Sequence, residues 1–301
     1  MTNDLEQLKK ALNIANAGNA LQQPLVDRAL QELIEVNNPL RQNLPRKPGS
    51  GTDWILNQRT SRGAGGSFVD DTDEPVETQA SYIQKKFPYK TVIQRGKVTR
   101  KLQAVGKSLL DIEAEEVENA LQAVRDAEED AIINGDSTVN PKQFNGFRKL
   151  TPAGQTVVAG VNGAPLSLDL MDQVIDLNRG NSNMIIMSKK ANRKLNALLQ
   201  SQQRFVDTME VTGGFRVQVY NGIPIFRSTF VSDAQTQGTS NVCTDIFVLD
   251  TSAVWIGELT PLKMVRLAQK SSQFSEFDIF EDITLVLGND IKASRLAGVT
   301  L

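Results

Sequence analysis

The chain has 301 residues, a net charge of −2, 40% hydrophobic and 23% charged residues. These values suit a globular protein with a sizeable core, and the charge balance gives no overall pull toward nucleic acid or membrane. The histidine count is 0 and Cys243 is the single cysteine, which excludes Ser-His-Asp and Cys-His catalysis, histidine-ligated metals and an intrachain disulfide.

Chemistry, if any, would fall to carboxylates, lysine, tyrosine or an oxygen-ligated metal. No apolar run approaches the ~20 residues needed to span a bilayer. The opening "MTNDLEQLKKALNIANAG" lacks the basic-then-apolar layout of a signal peptide, and one thiol fits a reducing compartment.

In chain order, residues 4 to 45 predict two helical pieces, with apolar stripes at Leu5, Leu8, Ala11, Leu12, Ile14 and at Leu25, Ala29, Leu30, Leu33, Ile34. "PRKPGSGTD" (45 to 53) breaks the pattern. Residues 54 to 80 are polar and glycine-bearing and read as a long loop, of the kind that is functional or disordered. It is flanked by strand-like segments, which could form a hairpin reaching away from the body. In "SYIQKKFPYKTVIQ", Ile83, Phe87, Tyr89 and Ile93 fall on one face at even spacing.

One long helix is predicted from Ser108 to Asn134, with Leu110, Val117, Leu121, Val124 and Ala131 as its stripe. Ser108 and Asp111 suit a capping box, and Gly135 suits a left-handed stop. Beyond Leu150 the texture is mixed α/β. Ser167 and Ser188 each open a helix, "NMIIMS" and "DIFVLD" read as strands, and Asn221-Gly222 makes a tight hairpin turn. "TPLKMVRL" is a further strand, and Phe277, Ile279, Ile283, Leu285 and Leu287 alternate in a late one.

Charge is segregated. Lys85, Lys86, Lys90, Arg95, Lys97, Arg100 and Lys101 form a basic ribbon with no acid, and the stretch 106 to 136 then carries ten acids against Lys107 and Arg125. Both segments suit solvated faces. They also suit complementary surfaces on neighbouring copies of one chain, which would steer association. Phe87 and Tyr89, interleaved with the ribbon's lysines, resemble a single-strand nucleic-acid platform, but they share the face of Ile83 and Ile93 and read as strand core.

Three motifs fail on their spacing. Gly106-Lys107-Ser108 stands where a phosphate loop would, but the glycine required five positions earlier is Lys101. "GSGTDW" and "GAGGSF" put Trp54 and Phe68 at the third glycine of a dinucleotide fingerprint. "DDTDEPVE" has Pro75 at the fifth position of a calcium loop and no central glycine. No catalytic, cofactor-binding or metal residue is assigned, and no cofactor is expected.

The order of helical arm, extended loop, long acidic helix, α/β body and late strand resembles the tailed-bacteriophage major capsid proteins of the Hong Kong 97 (HK97) fold. The stretches that carry the resemblance are "PLVDRALQELIEVNNPLRQNLPRKPG", "SYIQKKFPYKTVIQRGKVTRKLQAVGKSLLD", the run through "FNGF", "VYNGIPIFRSTFV" and "FEDITLVLGNDIKASRLAGVTL". The resemblance implies an α+β capsid fold. Its parts would be an N-terminal arm at 1–50, an extended E-loop at 51–100, a P domain with its spine helix at 101–152, an A domain at 153–262, and strands returning to the P domain at 263–301. Phe144 and Phe147 would tuck under the end of the spine helix.

The function implied is structural rather than enzymatic. Pentamers and hexamers would build an icosahedral head around non-specifically bound double-stranded DNA, with arm and loop crossing to neighbours. Portal, scaffold and decoration proteins are implied partners, the virion is the location, and assembly would take place in the bacterial host cytoplasm. Some members crosslink through a lysine on the E-loop. Here no lysine lies between Lys47 and Lys85, so a covalent lock is not expected, and the short arm implies a separate scaffold or none. The competing readings are an encapsulin-type compartment, a carboxylate-dependent α/β enzyme, and a DNA-binding module acting through the ribbon.

Overall fold

The computed structural model describes residues 38–63, 68–74, 77–106, 111–201, 207–211, 215–268 and 271–301. Most of the helical arm expected at 4 to 45, the glycine-rich run 64–67 and Ser108 lie outside them. Helix α1 (Pro39–Asn43) and strand β1 (Arg46–Pro48) lead to β2 (Asp53–Ser61), β3 (Ser81–Pro88), β4 (Lys90–Thr99) and helix α2 (Arg100–Gly106). The long helix α3 (Ile112–Asn134) and the short α4 (Phe147–Leu150) follow. Next come β5 (Thr156–Val158), β6 (Ala164–Pro165), α5 (Leu168–Leu177), β7 (Met184–Met187), α6 (Lys189–Ser201), β8 (Asp207–Val211), β9 (Phe215–Tyr220), β10 (Ile223–Arg227), β11 (Gln235–Gln237) and β12 (Ser240–Leu249). The chain closes with β13 (Val254–Arg266), β14 (Phe274–Leu287) and β15 (Ala293–Thr300).

Two large sheets form the body. A four-stranded sheet has the order β1-β13-β14-β4; a nine-stranded sheet has the path β5-β15-β12-β7-β10-β9-β8, with β11 on β12 and β6 on β15. Helices α5 and α6 cover one face of the larger sheet, burying Met171, Val174, Ala191 and Leu195 against Ile185, Ile246 and Val248. Both helices start as the sequence indicates. Ser167 Oγ accepts from Leu170 N and Ser188 Oγ accepts from Ala191 N. Asn221 and Gly222 take the positive φ angles of the β9–β10 turn.

The other face of β7 and β12 joins the end of α3 and the inner ends of β13 and β14 in one core, which includes Ile132, Ile133, Phe147, Phe247 and Leu285. Further along, α3 lies on the four-stranded sheet through Ala120, Val124, Phe277 and Ile279. The helix has 23 residues, about 34 Å at ~1.5 Å per residue.

Its ends differ from the sequence reading. Asp111 is the N-cap and accepts from Ala114 N: its carboxylate reaches an orphan donor of the first turn, a task given above to Ser108. Gly135 is extended at φ −52, not left-handed. Glycine is required there by close approach, because a Cβ would stand 2.4 Å from Phe144 O and 2.5 Å from Ala131 O. Gly146 N donates to Gly135 O at 2.8 Å, which folds the connector back and buries Phe144 and Phe147 under the helix end.

Three other expectations change. Strand β2 occupies 53–61, inside the segment read as loop, and pairs with β3. Strands β3 and β4 belong to different sheets, so Ile83, Phe87, Tyr89 and Ile93 do not share one face: Phe87 is buried while Ile83 and Ile93 are exposed. The boundary drawn at 262/263 falls inside β13, which pairs with β14 along its length, whereas β15 returns to β12 in the larger sheet. Residues 254–257 are all buried and the same strand runs on unbroken to Arg266, with its register on β14 shifting between Glu258 and Lys263, so no break in the chain marks that boundary.

Candidate assembly surfaces

The segment 38–48 is anchored by charges that are buried on the body. Pro39 starts α1 at a position where the missing N–H costs nothing. The next two donors, Leu40 N and Arg41 N, reach Glu129 Oε2 at 3.2 Å and 3.4 Å, and Ser228 Oγ donates to Glu129 Oε1 at 3.1 Å. Glu129 is fully buried, and desolvation raises its pKa from 4.5 to about 7. Beside it, Glu128 is ion-paired to both Arg41 and Arg46. Glu281 on β14 pairs with Arg41 at 3.3 Å and with Arg46 at 3.8 Å, and Glu258 pairs with Arg46 at 3.2 Å. Burial holds the Glu281 carboxyl above, and the Arg46 guanidinium below, its ordinary range.

Three carboxyl groups, Glu128, Glu258 and Glu281, thus share two guanidinium groups, and Glu129 beside them is held by backbone N–H groups and Ser228. The arrangement ties the arm's exit to α3 and β14 together. The sequence reading missed this site by placing the acids of α3 on an outer face, either solvated or turned to a neighbouring copy. A signal was present: Glu128 and Glu129 sit between Ala127 and the apolar run Ala131-Ile132-Ile133, at positions the helical period turns inward.

The second surface is the β2–β3 hairpin. Its root is fixed on the body. Trp54 meets Trp255 edge-on at 6.0 Å, Lys47 Nζ lies 3.6 Å over the Trp255 ring, and Phe87 packs with Val286. Gln58 Nε2 donates to Gly288 O at 2.8 Å and Lys85 pairs with Asp290. On this root Ile55 is exposed on the outer side, past it Tyr82 and Ile83 are exposed, and Phe68 and Val69 near the tip are exposed as well.

The basic ribbon divides. Arg95 pairs with Asp278 at 2.7 Å and Lys97 with Glu276 at 3.0 Å, both acids on the adjacent strand β14. Several acids of α3 are engaged elsewhere: Glu113 with Arg266 at 2.7 Å, Asp126 with Asn38, and Glu128 and Glu129 in the buried site. Within one chain, then, β4 packs on the helix through Val92, but among the described residues no ion pair joins a ribbon cation to an acid of α3. Phe87 belongs to the hairpin root rather than to a base-stacking platform.

Gly106 ends α2, and Lys107 and Ser108 lie outside the described residues. Among the described residues no group of three or more His, Cys, Asp or Glu could hold a metal, and no helix is long and apolar enough to cross a membrane.

A body of two sheets, a spanning helix and a hairpin that carries apolar side chains out into solvent define a shell-building subunit. The chain belongs to the phage capsid family, whose model matches residues 17–280. It is a bacteriophage major capsid protein, a structural protein of the virion that assembles with copies of itself. No curated protein matches it in sequence. Solved structures share the fold at low identity. The capsid of an empty GTA particle superposes with a TM-score of 0.75 at 17% identity, over 96% of this chain and 100% of that one. The holo-SrpI encapsulin complex from Synechococcus elongatus PCC 7942 gives 0.73 at 16%, over 96% of each chain. The capsid of Myoviridae phage XM1 gives 0.66 at 13%, over 97% and 100%.

Proposed function

We propose that this chain builds the pentamers and hexamers of an icosahedral phage head that encloses double-stranded DNA, with its arm and hairpin lying on neighbouring copies. In this reading residues 1–50 are the arm and 51–100 are the E-loop hairpin with β4. The P domain combines 101–152 with β13 and β14, and the A domain combines the rest of 153–301. The observation that carries the reading is the hairpin. Ile55, Tyr82 and Ile83 are exposed on a two-stranded ribbon, and such a ribbon is marginal in water without something to lie on. A sister subunit supplies that cover many times over in a closed shell, and small contacts sum to a durable container.

The chemistry is mechanical. No catalytic residue is assigned, and the lack of lysine between Lys47 and Lys85 leaves the lattice to non-covalent contacts. Portal, scaffold and decoration proteins complete the head, assembled in the host cytoplasm. The likeness to an encapsulin shell favours one second reading, a cellular compartment enclosing a cargo enzyme. Electron microscopy and nucleic-acid assay of particles from the expressed chain decide: large DNA-holding shells, formed with neighbouring gene products, support the phage head. Small shells holding a cargo enzyme support the compartment, and a monomer with no particles refutes both.

A further inference from the structure

The cations of the ribbon are largely matched within the chain. Lys85 pairs with Asp290, Arg95 with Asp278 and Lys97 with Glu276, and Lys90 donates to Pro141 O. Those of α6 are not. The helix carries Lys189, Lys190, Arg193 and Lys194 and no acid. All four are exposed, and among the described residues only Lys190 makes an ion pair, with Asp233 at 3.5 Å. Arg227 adds a further charge. It ends β10 opposite Met187, on the face that Ile223 and Ile225 turn toward the helices. It is exposed and makes no ion pair among the described residues.

The fold gains little from this arrangement. Cations in the first turn oppose the helix macrodipole, which favours acids there. Lys189 with Arg193, and Lys190 with Lys194, are like-charge pairs four residues apart, which weaken a helix. Packing is done by the opposite side, where Ala191, Leu195 and Leu199 are buried. The charges form a separate outer face. Its open groove of about 500 Å³ lies between α6 and the start of β12, lined by Lys190, Arg193, Lys194, Asp233 and Val242 among others. The make-up of the face selects its partner. Protein interfaces are poor in lysine and rich in aromatic rings, whereas α6 has no aromatic residue and β10 buries Phe226. Without an exposed ring there is no platform for unstacked bases. Lysine and arginine on a helix suit the phosphates of a duplex, which position a protein without specifying sequence.

We propose that Lys189, Lys190, Arg193, Lys194 and Arg227 bind the phosphate backbone of double-stranded DNA without reading its sequence. The inference rests on the shell reading and names the surface that meets the enclosed DNA.

Fluorescence anisotropy of a short labelled duplex tests the face, with the full chain and with a variant that combines Lys189→Gln, Arg193→Gln and Lys194→Gln. The variant should bind about tenfold more weakly at roughly 0.05 M salt, and the slope of log affinity against log salt should fall by about two to three. Duplexes of unrelated sequence should bind the parent alike. The variant's circular dichroism should match the parent's and its melting temperature should be equal or higher, because like-charge pairs are removed. Equal affinity and slope in the two proteins, or no duplex binding by the parent, overturns the proposal. So does loss of binding from Arg100→Gln with Lys101→Gln but not from the α6 changes, which would make the ribbon the DNA surface. Tighter binding of polyglutamate than of duplex at equal charge would mark the face as a site for an acidic protein and refute the DNA assignment. A variant that binds duplex normally yet builds no shells would give the face to a subunit contact, with the same consequence. Failure of the shell reading is separately visible as an unaltered chain that forms no particles, since the titration reads the face in either case.

Discussion

Glu129 accepts the backbone N–H of Leu40 at 3.2 Å across 89 residues of sequence, so a carboxyl buried on the spine helix caps the first turn of the segment that leads out of the arm. That carboxyl titrates near neutrality. Its pKa is about 7 in the fold against an ordinary 4.5, with burial as the first cause. A raised folded value means the fold holds a proton that the unfolded chain has lost. The stability it contributes is complete below about pH 4.5 and disappears as pH rises through 7.

Glu129→Gln removes that dependence while keeping an acceptor for Leu40 N. The variant should gain up to about 3 kcal/mol over the parent at pH 8 and differ little at pH 4.5. Thermal unfolding at the two pH values measures it. A parallel shift at both would mean that the carboxyl is not the titrating group.

Arg46 lies between Glu128, Glu258 and Glu281. Arg46→Ala leaves buried carboxylates with Arg41 alone, and breaking such a pair on one side costs about 3–5 kcal/mol. Arg46→Lys should recover only part of this, since an ammonium group cannot fork between several carboxylates. Chemical denaturation ranks the three proteins, and equal stability of the lysine variant and the parent would argue against the fork.

The turn after α3 gives a prediction about backbone rather than charge. At Gly135 a Cβ would meet Phe144 O at 2.4 Å, and at Gly146 it would meet Ala131 O at 2.5 Å. Neither obstacle is a flexible side chain. Gly135→Ala or Gly146→Ala should cost about 2–4 kcal/mol, in the range of core disruption. Gly154→Ala, with nothing within 4 Å, is the control and should be close to neutral. Melting temperatures of the three variants provide the check.

Local signals were legible in the sequence. Ser167, Ser188 and Asn221-Gly222 each act through neighbours a few residues away, and the structure places them as their chemistry indicates. What failed depends on partners far along the chain. Gly135 reads as a left-handed stop until Phe144 is known to pass against it. Glu128 and Glu129 read as solvated until Arg41, Arg46 and Leu40 N arrive from the arm. Strand β2 reads as loop because past Leu56 it has no apolar residue and takes its order from pairing with β3. Strand β15 falls within the strands that the resemblance returns to the P domain at 263–301, but its sheet is set by β12, which lies more than forty residues earlier in the chain.

The hairpin's independence from the body gives the last prediction. Its root holds through Trp54, Phe87, Gln58 and Lys85, whereas Arg59 to Arg62 on one strand, and Tyr82 and Ile83 on the other, are exposed. Replacing 62–80 with an Asn-Gly turn removes little that the subunit itself buries. Folding stability should therefore fall by less than about 1 kcal/mol, the scale of surface changes, while shell formation should be lost. A truncated chain that still builds shells would show that the hairpin's exposed end is not an assembly element. One that fails to fold would show that the loop stabilises the subunit from within. Circular dichroism and sedimentation of the same preparation distinguish the two cases.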